Sequence, residues 1–410
     1  MNLIQSDKIY KKTTCRSCGG SRLKKWLDLG KQPLANAFVK DPQGKDETFP
    51  LVVNYCEICG FVQLSHVVHP DVLFKNYVYQ SSTSPVFTQH FTDFAEREMN
   101  FDRVKKGDLV IDIGSNDGIL LAPFKDRGAR VLGIEPAGDI ANVAVKRGIE
   151  TIPEYFTEQL AFDIAQNYGH AKLVTMTNVF AHVDNLKDIL AGVRILIGDW
   201  GRFVVEVPYL PDMVRQGTFD LIYHEHLSYF TVASMHKLIL RHDLVIQDVE
   251  FVPVHGGSVR FTIGKFQSEK PIIGEYKNDG RLTKTQEFLA FPQKVKETGD
   301  QLMKLLDKMA DSKITVVGYG APAKMSTICH YFGITKKHVN LVIDDAPSKQ
   351  NLYTPGTHIK VIPMPVDLNK YTEYVLIFAW NFADSIIMKL KAMGYKGWFI
   401  VPFPHPSIKK

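Results

Sequence analysis

The sequence predicts an α/β chain in three parts: a small cysteine-rich N-terminal module over 1–75, a central doubly wound domain over 76–265 and a further α/β domain over 266–410. Three observations carry the prediction. Two Cys-x-x-Cys pairs stand near the start, apolar strand-like runs alternate with helical patterns from Asp108, and a second alternation follows the charged, helix-like stretch 283–311. A length of 410 residues suits about two to four domains, and 45% hydrophobic with 11% aromatic residues suffices for packed cores. The net charge of +5 fits an anionic small ligand and is no nucleic-acid signature. Residues 1–7 lack the apolar core of a signal peptide and no apolar run approaches membrane-spanning length, so a soluble cytoplasmic protein is expected.

Cys15/Cys18 and Cys56/Cys59 each run into glycine. A two-residue gap lets both thiolates of such a knuckle reach one tetrahedral ion, and the glycine relieves the turn behind them. Four sulfurs close the shell, which describes a structural Zn2+ with no open position. Two disulfides or four unrelated thiols are the alternatives; the lack of secretory context and a single further cysteine, Cys329, favour zinc. Lys11, Lys12, Arg16, Arg22, Lys24 and Lys25 cluster here, which keeps a non-enzymatic zinc-ribbon binding module as a rival reading.

Taking the elements in order, 60–64 reads as a strand of the module. The stretch 77–85, Tyr-Val-Tyr-Gln-Ser-Ser-Thr-Ser-Pro, reads as a linker or lid, because Ser and Thr ahead of Pro favour turns. Phe87, Phe91, Phe94 and Met99 fall near helical spacing and predict a helix over 86–100. Largely apolar runs at 109–113, 131–135, 172–176 and 201–207 suit strands of a buried parallel sheet. Beyond the helix-like 283–311, further strands are expected at 314–318, 341–344 and 374–379, with 398–402 closing the second sheet.

The first central strand ends in Asp112-Ile113-Gly114-Ser115-Asn116-Asp117-Gly118. A glycine-bearing turn there lets a ligand approach the backbone at the switch point of an open sheet. About twenty residues on, the second strand ends in Glu135-Pro136, where an acid can accept hydrogen bonds from both hydroxyls of a ribose. A dinucleotide turn would want Gly-x-Gly-x-x-Gly, whereas Asp112 and Asp117 crowd this loop. Acids repel a pyrophosphate and suit a cationic sulfonium with an amino-acid tail. The pattern resembles the first two motifs of S-adenosylmethionine-dependent methyltransferases; a plain turn at Asp117-Gly118 is the alternative. Asn178 and Phe180 follow the third strand, where such enzymes hold adenine and substrate, and Phe180 fits core or ligand equally.

The densest polar cluster is Tyr223-His224-Glu225-His226. Metal binding is one reading, since His224 and His226 share a face of an extended segment, but no third ligand stands nearby. A solvated loop is another. The third is acid–base work, with His226 as base and Glu225 or Tyr223 orienting it or binding substrate. Around His255, Gly256 and Gly257 the chain reads either as a glycine-bulged strand or as a close approach that lets Arg260 face phosphate. In the last domain Gly318-x-Gly320 with Asp344-Asp345 looks like a dinucleotide site whose third glycine is replaced by Ala323, and Lys324 stands at a helix start suited to a diphosphate.

In this order, the cysteine knuckles, the Asp-Ile-Gly-Ser-Asn-Asp-Gly turn, Ile-Glu-Pro at 134–136 and Tyr-His-Glu-His resemble one family: bacterial C-methyltransferases acting on nucleotide-linked keto-deoxysugars. The resemblance extends through 254–260 and 318–324 and covers nearly the whole chain. It implies a zinc-binding N-terminal domain, a central methyltransferase domain and a Rossmann-like C-terminal domain that helps hold a dTDP- or GDP-linked 4-keto-6-deoxysugar. It implies S-adenosyl-L-methionine at Asp112, Gly114, Asn116, Asp117, Gly118, Glu135, Pro136, Asn178 and Phe180, and substrate at His224, His255, Arg260 and Lys324. His226 would be the base, with Tyr223, Glu225, His182 and a lid tyrosine, Tyr77 or Tyr79, donating or positioning. A sulfonium methyl is electrophilic, so methylating carbon needs a carbanion equivalent: a ketone at C4 acidifies the C3 proton, and its removal gives an enediolate. Rival readings are a sugar O-methyltransferase on the same scaffold and an NAD-dependent sugar-nucleotide oxidoreductase or epimerase.

Overall fold

The computed structural model describes residues 8–74, 82, 85–101, 103–266 and 272–410; Tyr77 and Tyr79 lie outside them. The N-terminal module contains β1 (Ile9–Lys11), β2 (Leu23–Pro33), β3 (Thr48–Cys56), β4 (Val62–Leu64) and β5 (His66–Val68), with β2, β3 and β4 antiparallel and β1 paired to β5. Phe49, Leu51, Val53 and Tyr55 alternate inward along β3, as a one-sided sheet requires.

The central sheet holds β6 (Leu109–Ile113), β7 (Arg130–Ile134), β8 (Thr151–Ile152), β9 (Leu173–Thr177) and β10 (Arg202–Pro208) in parallel. The next strand, β11 (Ser228–Tyr229), leaves this domain and joins β4, so the segment after the Tyr-His-Glu-His cluster is sewn onto the module's sheet. β12 (Val245–Val252) and β13 (Ser258–Gly264) form an antiparallel extension beyond β10, giving the order β12-β13-β10-β9-β6-β7-β8. All five residues of β6 are buried, which is why that strand reads as an unbroken apolar run apart from Asp112. The chain leaves β6 toward β7 and returns to β9 on the other side, so the switch point lies between the carboxyl ends of β6 and β9.

The C-terminal sheet repeats the logic with β14 (Val316–Tyr319), β15 (Leu341–Ile343), β16 (Lys360–Ile362), β17 (Tyr374–Ile377), β18 (Trp398–Val401) and β19 (Ser407–Lys409), in the order β16-β15-β14-β17-β18-β19. Its switch point lies between β14 and β17. The sequence expectation that 398–402 closes this sheet is corrected: antiparallel β19 lies outside β18. The expected helices stand at Pro85–Asn100 and Gln286–Asp311, the latter capped by the Thr285 side chain accepting from Phe288 N–H (3.2 Å). Trp26 of β2 stacks on Phe288 and Phe291 of that helix (centroids 4.1 and 4.8 Å) and donates its indole N–H to the Phe288 carbonyl (2.8 Å). One apolar core therefore runs from Leu51 and Val53 through Phe288 and Phe291 to Val316 and Val342, fixing the module against the C-terminal domain. Among the described residues no helix is long and apolar enough to cross a membrane.

Candidate active site

The four cysteines converge. Their sulfurs lie within 4.8 Å of one another, with Cys15–Cys59 at 3.6 Å and Cys18–Cys56 at 3.7 Å. A disulfide needs about 2 Å. Zinc with four ligands at about 2.3 Å spaces its sulfurs by about 3.8 Å, so the residues present fit a tetrahedral Zn2+. Gly19 and Gly60 close the two knuckles at φ +73° and +80°, donating to the Cys15 and Cys56 carbonyls (2.9 and 2.8 Å), a conformation that costs other residues strain.

Both switch points open into a single cavity of about 710 Å³ that is also walled by the N-terminal module. On its central side lie Asp112, Gly114, Ser115, Asn116, Glu135, Pro136 and Asn178. Gly114 has φ +72°, and a Cβ there would stand 2.6 Å from the Val179 side chain. Asn116 and Asn178 are also left-handed (φ +50° and +58°), a concentration of strained backbone typical of ligand sites. Glu135 accepts from the Asn116 and Ala137 amides (3.0 and 2.9 Å), so both oxygens are aimed and retain acceptor capacity. Burial raises its pKa. Asp112, fully buried, is pushed up to about 7 by desolvation, against the hydrogen bond from Thr175 (2.6 Å). The buried Asn178 Oδ1 and Ser115 Oγ have no partner among the described residues. Orphaned acceptors, two carboxyls and a side-chain-free approach fit a cationic adenosyl amino acid. Asp117 and Gly118 do not line the cavity: Asp117 turns to the Ser82 amide (3.3 Å) and Arg147 (3.3 Å). Phe180 is fully buried against Phe203 and Phe230, on the core side of the choice left open by the sequence.

Tyr223, Glu225, His226 and His182 form the middle wall. The His226 amide donates to the Tyr223 carbonyl (2.9 Å), so this segment is a turn. That corrects the extended-strand premise behind shared ligation by His224 and His226. His226 stands 4.1 Å from the Tyr223 ring and 5.1 Å from that of His182, while His224 turns away to the Phe49 carbonyl (3.2 Å) and is absent from the cavity wall. The placement of His224 against substrate is thus corrected. Burial lowers the pKa of His224 and His182 to about 4, so both rings are neutral near pH 7. His226 Nδ1–H donates to the Leu221 carbonyl (2.7 Å); in the neutral ring this assigns the basic lone pair to Nε2. His182 Nε2 is buried without a partner among the described residues. Three residues that sequence reasoning missed come from or meet the module: Asn36 Nδ2 donates to Glu225 Oε1 (2.6 Å), and Tyr10 donates to Asp184 (2.6 Å) beside them. No local signature marks Asn36 or Tyr10; Asp184, two residues past His182, was the one within reach.

The third wall is basic. Lys324, in the first turn of the helix Ala323–Phe332, donates to Asn381 Oδ1 (2.6 Å), lies 4.2 Å from the Trp380 ring and 3.8 Å from Asp220. Desolvation lowers its pKa to about 8 despite Asp220. Lys349, also missed, is buried beside it and donates to the Ala321 carbonyl (3.0 Å). Arg260 is a correction. Its register on β13 sets it opposite Glu206 of β10 and Glu250 of β12, and its guanidinium is taken by both (2.7 and 2.9 Å), away from the cavity. His255 belongs to the turn Val254–Gly256, and its side chain lies outside the described residues.

Comparison with known proteins agrees along the chain. Family models match as a zinc binding domain over 15–74, a methyltransferase domain over 89–249 and a C-methyltransferase C-terminal domain over 253–404. The chain is 35% identical over 409 residues to C-methyltransferase NovU of Streptomyces niveus, covering 96% of each. Among solved structures it is similar to magnesium protoporphyrin IX methyltransferase of Synechocystis PCC 6803 (16% identity, 43% of this chain and 82% of that one, TM-score 0.32). Another is a possible histamine N-methyltransferase of Thermotoga maritima (15%, 44% and 91%, TM-score 0.33). The chain is an enzyme with S-adenosylmethionine as cofactor and a structural zinc, and it belongs to the C-methyltransferase family.

Proposed function

We propose that the enzyme transfers a methyl to C3 of a nucleotide-linked 4-keto-6-deoxysugar, with His226 as the base. The observation that carries this reading is the meeting of three chemically different walls in one cavity: carboxyls at Asp112 and Glu135, the His182 and His226 imidazoles and a phenol at the centre, and buried lysines opposite. Bound S-adenosylmethionine supplies the electrophilic methyl. Glu135 binds its ribose hydroxyls, and Asp112 with the Gly114 turn holds the cationic end. Lys324 and Lys349 hold the diphosphate, which places the sugar between the two switch points.

His226 Nε2 takes the C3 proton, and the Leu221 carbonyl on Nδ1–H stabilises the resulting imidazolium. Negative charge moves to the C4 oxygen, where Tyr223 and the neutral His182 ring are the donors. Glu225, oriented by Asn36, is a positioning group. The four thiols, ligated and reduced, suit a cytoplasmic enzyme.

The test is incubation with S-adenosylmethionine and a panel of nucleotide 4-keto-6-deoxysugars, followed by mass and NMR analysis of the product. A new methyl on carbon is expected; a methyl on oxygen would move the reading to a sugar O-methyltransferase.

A further inference from the structure

We infer that Arg16 and Asp184 are positioning residues for the proton-transfer cluster, so that the zinc module governs turnover as well as folding. The inference rests on the reading of His226, Tyr223 and His182 given above.

Arg16 stands between the zinc ligands Cys15 and Cys18. Its backbone amide donates to Gln63 Oε1 and its Nη1 to the Leu64 carbonyl, both at 2.8 Å, and its side chain is fully buried. The guanidinium is therefore fixed to the module before it reaches outward. What it reaches is Asp184 of the central domain: Nε donates to Oδ1 (2.8 Å), while Oδ2 receives Tyr10 (2.6 Å) and Lys12 (2.8 Å). Three donors from one module converge on one carboxylate.

Asp184 follows His182 by two residues, just past the short turn Phe180–His182, and His182 stacks on His226. The carboxylate thus anchors the backbone that aims the His182 ring into the cavity. The same module touches the cluster again through Asn36 and Glu225. Holding the bodies together does not require the Arg16–Asp184 pair, because the Trp26 stack and the β4–β11 ladder already do so. An ion pair with one buried and one part-buried member adds little net stability over apolar groups of the same shape, so its role here is the placement of Asp184 against the module. Geometry is what this site needs, since a displacement of about 1 Å can lower turnover by about 10²-fold.

The test uses the full-length, zinc-loaded enzyme with Arg16→Met, Asp184→Asn and the double variant, which leaves no lone buried charge. Zinc content, S-adenosylhomocysteine affinity, kcat and KM are measured, together with exchange of the substrate C3 hydrogen in deuterated water. We expect one zinc per chain, unchanged cofactor affinity, and kcat and exchange both lowered by about tenfold or more. The double should lose no more than the worse single, since both break one link. Normal kcat in the folded variants overturns the inference. Losses that multiply in the double, or a parallel fall in cofactor affinity, also overturn it by pointing to independent or general structural roles. If the single variants do not fold, the double variant decides alone, and normal turnover in the folded double overturns it equally. His226→Asn is measured alongside: an active His226→Asn removes the underlying reading, whereas an inactive one beside normal Arg16 and Asp184 variants removes only the positioning role.

Discussion

The two α/β sheets of this enzyme are built alike at their switch points and differ in what they show the cavity. In the central sheet, Glu135 after β7 accepts from the amides of Asn116 and Ala137; in the C-terminal sheet, Asp344 after β15 accepts from those of Ala321 and Ala346 (2.6 and 2.8 Å). Each acid pins the turn that follows the first strand of its sheet. Glu135 and Asp112 nevertheless line the cavity, whereas Asp344 does not and Lys324 and Lys349 take its place. Shared topology thus yields an acidic wall on one side and a basic wall on the other. Fold alone would not have separated them; the side chains do.

The largest expected effect lies outside both walls and sharpens the contrast. Arg260→Met leaves the buried Glu206 with only His90 as a basic partner among the described residues, and should destabilise the fold by about 3–5 kcal/mol in denaturant titration while leaving nucleoside diphosphate affinity unchanged in the folded fraction. A selective loss of diphosphate binding would return Arg260 to the substrate site. Next comes Glu135→Ala, which removes charge-assisted bonds worth roughly 1.5–3 kcal/mol each. Calorimetry should show S-adenosylhomocysteine binding at least about tenfold weaker, with thymidine or guanosine diphosphate unaffected.

The smallest effect is also the most specific to the comparison. Asp112 titrates near 7 in the ligand-free protein, so its anionic form, the one that attracts a sulfonium, grows as pH rises; S-adenosylmethionine affinity should climb through about pH 7. Lys324 titrates near 8, and its cationic form is lost as pH rises; nucleoside diphosphate affinity should fall above about pH 8. The limiting slope is about tenfold per pH unit for each. Asp112→Asn and Lys324→Met should flatten their respective profiles, and profiles of the same sign would contradict the assignment of opposite walls.

Much of the scaffold was legible because burial writes itself into local sequence. The runs at 109–113 and 374–379 are apolar because both faces of a parallel sheet are covered, and they appear as β6 and β17. The cysteine knuckles were legible from spacing. What stayed hidden is set by pairing and packing between distant segments. Nothing near Arg260 announces that register will place Glu206 and Glu250 beside it. The turn that separates His224 from His226 is closed by one backbone hydrogen bond that no residue type demands. Asn36 and Lys349 carry no motif and reach the cavity only through packing of the three bodies.

His226 is proposed to remove the C3 proton in the space between the two walls. The most direct measurement incubates His226→Asn with nucleotide-linked substrate and S-adenosylhomocysteine in deuterated water and follows the C3 hydrogen by NMR, with calorimetry confirming that both ligands bind. Both ligands should remain bound, with exchange slowed by about 10²–10⁴-fold relative to the parent enzyme and methyl transfer lost in parallel. Exchange at the parent rate in His226→Asn would contradict this role and pass it to Tyr223 or Glu225.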